Sequence, residues 1–187
     1  MMEPRLGLAS LQRELAAGRK LPPVEKWNPS HCGEIDIRIA RDGTWFHQGT
    51  PVARRELVHL FSTILRKEDD AYYLVTPAEK MCIRVDEVPF LAVLLDARGT
   101  GRDQQLAFTT NVGDEAIAGP EHRIRVETDR VTKEPAPYVH VRSGLEARIS
   151  RNVFYQLAEI AGPGEDEFSG QLGVWSDGVF FPLGTPA

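Results

Sequence analysis

The chain is short of cysteine: Cys32 and Cys82 are the only two in 187 residues. Two thiols cannot build a disulfide framework, and without a C-x-x-C pair there is no redox or zinc-ligand spacing. Two reduced thiols in a cytosolic protein are expected, with one structural disulfide as the alternative. No apolar stretch approaches the roughly 20 residues that a membrane helix needs, so no membrane partner is expected. Residues 1–20 lack an apolar segment followed by a small-residue cleavage site, and the chain is expected to stay in the cytoplasm. A surplus of positive charge is also missing. Lys and Arg number 22 against 27 Asp and Glu, a formal charge of −5. Non-specific nucleic-acid binding needs a basic surface that displaces counterions, so no nucleic-acid partner is expected.

The motifs of well-defined chemistry are absent too. There is no H-E-x-x-H, G-x-S-x-G, G-x-x-x-x-G-K-[ST] or G-x-G-x-x-G. Gly99-Thr-Gly101 and Gly162-Pro-Gly164 are too short for phosphate loops and read as flexible connections. Paired carboxylates for hydrolysis are not evident. The chain has five histidines, His31, His47, His59, His122 and His140. His31 and Cys32 are adjacent, so in extended chain they point in opposite directions. A metal site from Cys32, His47 and Asp36 lacks the paired spacing of structural zinc. Neither a metal nor a cofactor is expected.

What remains is an ordinary globular balance, 42% hydrophobic and 26% charged, enough for one domain or two small ones. Leu8, Leu11 and Leu15 predict a helix over 8–17. Ile35, Ile37 and Ile39 alternate with Asp36 and Arg38 and run into Asp42-Gly43, a strong hairpin signal over 33–52. A two-residue turn sets Ile39 opposite Phe46 and Arg38 opposite His47. One face then carries Ile37, Ile39 and Phe46, and the other Asp36, Arg38, Ala40, Trp45 and His47. Another loop length would exchange the faces. The spacing of Leu57, Leu60, Phe61, Ile64 and Leu65 predicts a helix over 53–66. Strands are expected at 72–76, 81–85, 90–95, 104–110, 122–128, 138–142 and 145–149. A second helix over 151–161 has Ser150 as N-cap and Gly162 as stop. A last hairpin, 171–183, turns on Asp177-Gly178.

The fold class is α+β, in two related halves of hairpin or sheet plus helix. Residues 42–51 and 177–186 share six of ten identities, which suggests a repeat. Ile83-Arg-Val-Asp86 likewise recurs as Ile124-Arg-Val-Glu127. The glycine-rich stretch 96–103 is the expected boundary: a lead-in over 1–20, one domain over 21–97 and another over 98–187.

The chemistry concentrates on the first hairpin. Asp36 and Arg38 beside Trp45 and His47 would form a surface able to stack a flat group and bind an anion. The plain alternative is an exposed sheet face with a weak ion pair. The second hairpin offers Gly173, Trp175, Phe180 and Pro182 at the equivalent face, with no charge, and reads as packing. Cys32, at the mouth of the first hairpin, has His47 as its only nearby candidate base. Thr76-Pro-Ala-Glu-Lys80 is a strand-end turn with an acid–base pair.

Leu21-Pro-Pro-Val24 with Trp27, Cys32-Gly-Glu-Ile-Asp-Ile-Arg-Ile39, Arg41-Asp-Gly-Thr-Trp45, Leu57-Val58, Leu60-Phe61 and Leu74-Val-Thr-Pro-Ala-Glu-Lys80 resemble a bacterial family, the domain of unknown function 1285. Family members often carry valine where Ala78 stands. The resemblance implies a duplicated α+β arrangement whose second half is similar to a pleckstrin-homology-like sheet capped by a helix. It also implies a ligand site where the halves meet, for a nucleotide-like or other anionic small molecule, and a role in signal transduction. The residues it points to are Trp27, Cys32, Asp36, Arg38, Asp42, Trp45 and Lys80, with His47 added from the hairpin. A non-enzymatic small-molecule binding protein is therefore the preferred expectation. The alternatives are an enzyme using Cys32 or the Asp36/His47 pair, and an interaction module or homo-oligomer formed through an exposed sheet edge.

Overall fold

Apolar and polar residues alternate along the front of the chain, so each strand there can bury one face and expose the other. A computed structural model describes residues 21–185. The 1–20 lead-in, with the helix expected over 8–17, lies outside the described residues. The described chain divides into two compact units, with the boundary in sequence between Pro89 and Phe90. The expected boundary at 96–103 falls elsewhere because the strand after Pro89 runs unbroken through Arg98 and belongs to the second sheet. The glycine-rich stretch connects two neighbouring strands of that sheet.

The first unit opens with a 3-10 turn, Val24–Lys26. There follow β1 (His31–Ile39), β2 (Trp45–His47), β3 (Thr50–Pro51), α1 (Arg55–Thr63), β4 (Leu65–Glu68), β5 (Ala71–Val75) and β6 (Glu79–Val85). The sheet order is β3-β2-β1-β6-β5-β4. Strand β1 pairs antiparallel with β2 and parallel with β6. Ile37, Ile39, Trp45, Leu60, Phe61, Ile64, Leu65, Leu74, Met81 and Ile83 are buried.

The hairpin register differs from the expected one. Ile39 faces Trp45, Arg38 faces Phe46 and Ile37 faces His47. The loop holds three residues: Ala40 N–H donates to Thr44 O at 2.9 Å, and Gly43 takes φ +82°. A one-residue change of loop exchanges the faces. Trp45 therefore joins the core, 2% exposed and stacked 6.2 Å from Phe61. Phe46 moves to the face of Arg38. Removing a tryptophan from water outweighs the local preference of Asp-Gly for a two-residue turn.

Helix α1 is shorter than the expected 53–66. Ile64 caps it with φ −105°, and Leu65 starts β4 opposite Leu74. Ser62 and Thr63 hydroxyls donate back to His59 O and Leu60 O, which ends the helix. A buried apolar run fits helix or strand equally, and β4 was hidden in the helical pattern for that reason.

The second unit contains β7 (Phe90–Arg98), β8 (Gln105–Thr110), β9 (Glu115–Ile117), β10 (Ile124–Thr128), β11 (Pro135–Arg142), β12 (Leu145–Ile149), α2 (Arg151–Ile160), β13 (Gly162–Pro163), β14 (Leu172–Ser176) and β15 (Val179–Gly184). Its six-stranded sheet has the order β10-β11-β12-β7-β8-β9, and β13-β14-β15 form a separate sheet. The expected cap of α2 is present, with Ser150 Oγ accepting from Val153 N–H.

Both large sheets follow one plan. Each joins two three-stranded antiparallel meanders by a parallel pair between the first strand of one and the last strand of the other: β1 with β6, and β7 with β12. The two halves are thus related, though not through the Asp-Gly hairpins. Strand pair β1–β2 corresponds in topology to β7–β8, while β14–β15 belong to the small sheet. The matched Ile-Arg-Val segments also occupy non-equivalent strands, β6 and β10. No helix among the described residues is long and apolar enough to cross a membrane.

Candidate functional site

On the face of the first sheet opposite Ile37 and Ile39, alternation sets out Cys32, Glu34 and Arg38 from β1, and Lys80, Cys82 and Arg84 from β6. Cys32 stands opposite Lys80 and Glu34 opposite Cys82. Tyr73 joins them from β5, opposite Cys82, and Arg66 from β4, opposite Tyr73.

Part of this face is tied up in structure. Arg66, only 7% exposed, donates to Val24 O at 2.9 Å and Trp27 O at 2.7 Å, and pairs with Glu68. It pins the segment 24–27 to β4. Lys80 Nζ donates to Glu68 Oε2 at 2.7 Å and lies 4.6 Å from the Tyr73 ring centroid. That hydrogen bond raises the Lys80 ammonium above the usual lysine range, with smaller contributions from Glu68 charge, Cys32 and Tyr73. The hydrogen bond from Lys80 likewise holds Glu68 below the usual carboxylate range. Arg38 grips Asp86 with Nε at 3.0 Å and Nη2 at 2.7 Å, and sits 5.4 Å from the Phe46 ring centroid. The hydrogen bonds between them raise Arg38 and lower Asp86.

The remaining part is open. Between the Glu34–Cys82 and Arg38–Arg84 pairs, β1 has three residues, Ile35, Asp36 and Ile37, where β6 has only Ile83. The parallel strands part at this irregularity. A cleft of about 360 Å³ lies there, lined by Glu34, Ile35, Asp36, Ile37, Cys82, Ile83 and Arg84. Asp36 reaches Arg84 at only 3.9 Å, and both side chains are exposed, 62% and 72%. Arg84 thus keeps most of its five donors available.

The sequence-based candidates separate accordingly. Asp36 lines the cleft. Cys32, an exposed free thiol, and Lys80 lie next along the same face. Arg38 is on this face but committed to Asp86. Trp27 contributes its carbonyl to Arg66. Trp45 is in the core, so the expected aromatic surface beside Arg38 is formed by Phe46 instead. His47 is exposed and opposite Ile37, on the other side of the strand from Cys32 and Asp36, and hydrogen-bonds to neither. Register therefore separates both pairs on which the enzyme alternative depended. Among the described residues no group of three or more His, Cys, Asp or Glu side chains could hold a metal ion.

Glu68, Asp86, Glu34, Cys82 and Arg84 were missed by the sequence reading. The alternation of Lys80, Cys82 and Arg84 with Met81, Ile83 and Val85 is visible in the sequence. The parallel pairing that brings them beside β1 is not, because nothing local specifies it.

Such a fold, with two six-stranded mixed sheets of one topology and a helix in each unit, defines an α+β protein with a duplicated plan. Residues 22–88 match the family model described as "Domain of unknown function (DUF1285), N-terminal domain", and residues 89–183 match "Protein of unknown function (DUF1285), C-terminal domain". The chain belongs to the DUF1285 family. It is similar to the crystal structure of a DUF1285 family protein from Silicibacter pomeroyi DSS-3: 54% identity, 93% of this chain and 94% of that one covered, TM-score 0.83. It is also similar to a DUF1285 family protein from Shewanella baltica OS155: 25% identity, 66% and 90% covered, TM-score 0.52. No curated protein matches the chain.

Proposed function

We propose that the protein binds a small anionic ligand without catalysing a reaction on it, and that the site is the cleft between β1 and β6. The observation that carries this reading is Arg84, a guanidinium beside a cleft with only a loose ion pair, on a face where Arg38, Lys80 and Arg66 are engaged. An available guanidinium offers a bidentate fork to a phosphate or carboxylate. The cleft is at the small end of ligand sites, which favours a compact metabolite. The separation of His47 from Cys32 and Asp36 favours binding over catalysis. The proposal extends to a role in bacterial signal transduction, which rests on the family resemblance alone. In the second unit, antiparallel meanders followed by α2 support a pleckstrin-homology-like arrangement.

A thermal-shift screen of phosphorylated and carboxylated metabolites tests the reading. A stabilising ligand raises the melting temperature in proportion to the logarithm of its concentration. Arg84→Gln, at an exposed position, should leave the unliganded melting temperature unchanged and reduce affinity about tenfold or more. Absence of stabilisation by every anion at millimolar concentration refutes it.

A further inference from the structure

The cleft that contains Arg84 carries charge of both signs. Its charged lining consists of Glu34, Asp36 and Arg84, two carboxylates against one guanidinium. Among the described residues Glu34 has no ion-pair partner, and Asp36 has only the 3.9 Å approach to Arg84. The nearest further cation along β6, Lys80, is held by Glu68 at 2.7 Å. A ligand carrying negative charge alone would settle on Arg84 while facing the Asp36 and Glu34 carboxylates of the same cleft, and like charges so close oppose binding. A ligand with a positive end removes the conflict.

Resting on the reading of this cleft as an anion site, we propose that its ligand is a small zwitterion, with its acid group on Arg84 and an ammonium group on Glu34. Strand geometry sets the spacing. Glu34 stands opposite Cys82, and Arg84 lies two residues further along β6. Two residues of parallel strand span about 6.6 Å. That is about the separation of an ammonium and an acid group on a short aliphatic linker. Ile35, Ile37 and Ile83 also line the cleft, Ile37 and Ile83 from buried positions. The volume of about 360 Å³ suits a ligand of this size and is small for a dinucleotide.

Calorimetric titration of the full chain with inorganic phosphate and with phosphoethanolamine reads both parts of the idea. Phosphoethanolamine should bind at least about tenfold more tightly than phosphate. Glu34→Gln should abolish that preference without weakening phosphate, and Arg84→Gln should weaken both. Equal affinity for the two probes, with phosphate binding still dependent on Arg84, overturns the zwitterion and leaves the anion site standing. A preference that survives Glu34→Gln also overturns it. Binding of neither probe at millimolar concentration removes the anion reading and the zwitterion together.

Discussion

Two Asp-Gly hairpins with six identities in ten residues adopt different turns. At 177–178 both turn residues have positive φ, +48° and +72°, and Ser176 pairs directly with Val179. This is the two-residue hairpin that Asp-Gly favours. At 42–43 only Gly43 is left-handed, and the loop takes in Arg41 as well. The residue before each aspartate shows what holds the turns. Ser176 is fully buried, accepting from Leu106 N–H at 2.9 Å and donating to Ala118 O at 2.7 Å. Arg41 is half exposed and reaches Glu87 at 2.5 Å. The second hairpin is anchored at its turn, and the first is anchored one residue beyond it, by Trp45. Asp-Gly marks a turn, while burial decides its length.

The largest test of this contrast is Trp45→Ala. It removes a buried ring packed on Phe61 and should cost about 3–5 kcal/mol of unfolding free energy. Trp175→Ala, at a half-buried ring stacked by Arg102 at 4.7 Å, should cost roughly 1–2 kcal/mol, closer to a partial loss of side-chain burial. Urea unfolding monitored by circular dichroism measures both. Equal losses would mean that Trp45 does not set the register of the first hairpin.

The same contrast explains how much was legible in the sequence. The register of 171–183 and the Ser150 cap of α2 could be read because each depends on residues within a few positions. The face assignment of Trp45 and His47 failed because a single loop residue, decided by the core, reverses it. Strand β4 was absorbed into a helical pattern because Ile64 and Leu65 are buried in either state. The cleft was illegible as a site, since it exists only where β6 pairs in parallel with β1 across some 48 positions of sequence. Asp36 and Arg38 were found as a charged stripe, but which cation stays available depended on Asp86 and Glu68. Only the pairing of distant strands reveals that.

A second test compares the residues preceding the turns. Ser176→Ala leaves Leu106 N–H and Ala118 C=O buried without their partner and should cost about 1–3 kcal/mol. Arg41→Ala breaks an ion pair at a half-exposed arginine and should cost no more than about 1 kcal/mol. A larger effect at Arg41 than at Ser176, by the same urea unfolding, would reverse the assignment of anchors.

The smallest expected effect concerns the aspartates themselves. Asp42 Oδ1 accepts from Thr44 N–H at 2.9 Å, across the three-residue loop. That backbone hydrogen bond holds the Asp42 carboxyl below the usual carboxylate range. Because the folded value is depressed, its contribution is complete above the ordinary carboxylate value of about 3.9 and is lost as pH falls through the folded value. Asp42→Asn keeps an acceptor but removes the charge. The wild type should exceed this variant in stability at pH 6 by no more than about 1 kcal/mol, the net value of one exposed hydrogen bond. The excess should begin to shrink below about pH 4 and be gone once the carboxyl is protonated in both folded and unfolded chains. At Asp177 the backbone is left-handed, a conformation that asparagine tolerates well, so Asp177→Asn should be neutral at pH 6. Urea midpoints of the three proteins between pH 2 and pH 7 decide the matter. A wild-type advantage over Asp42→Asn that grows as the solution is acidified would show that the aspartate is not acting as a charged loop cap.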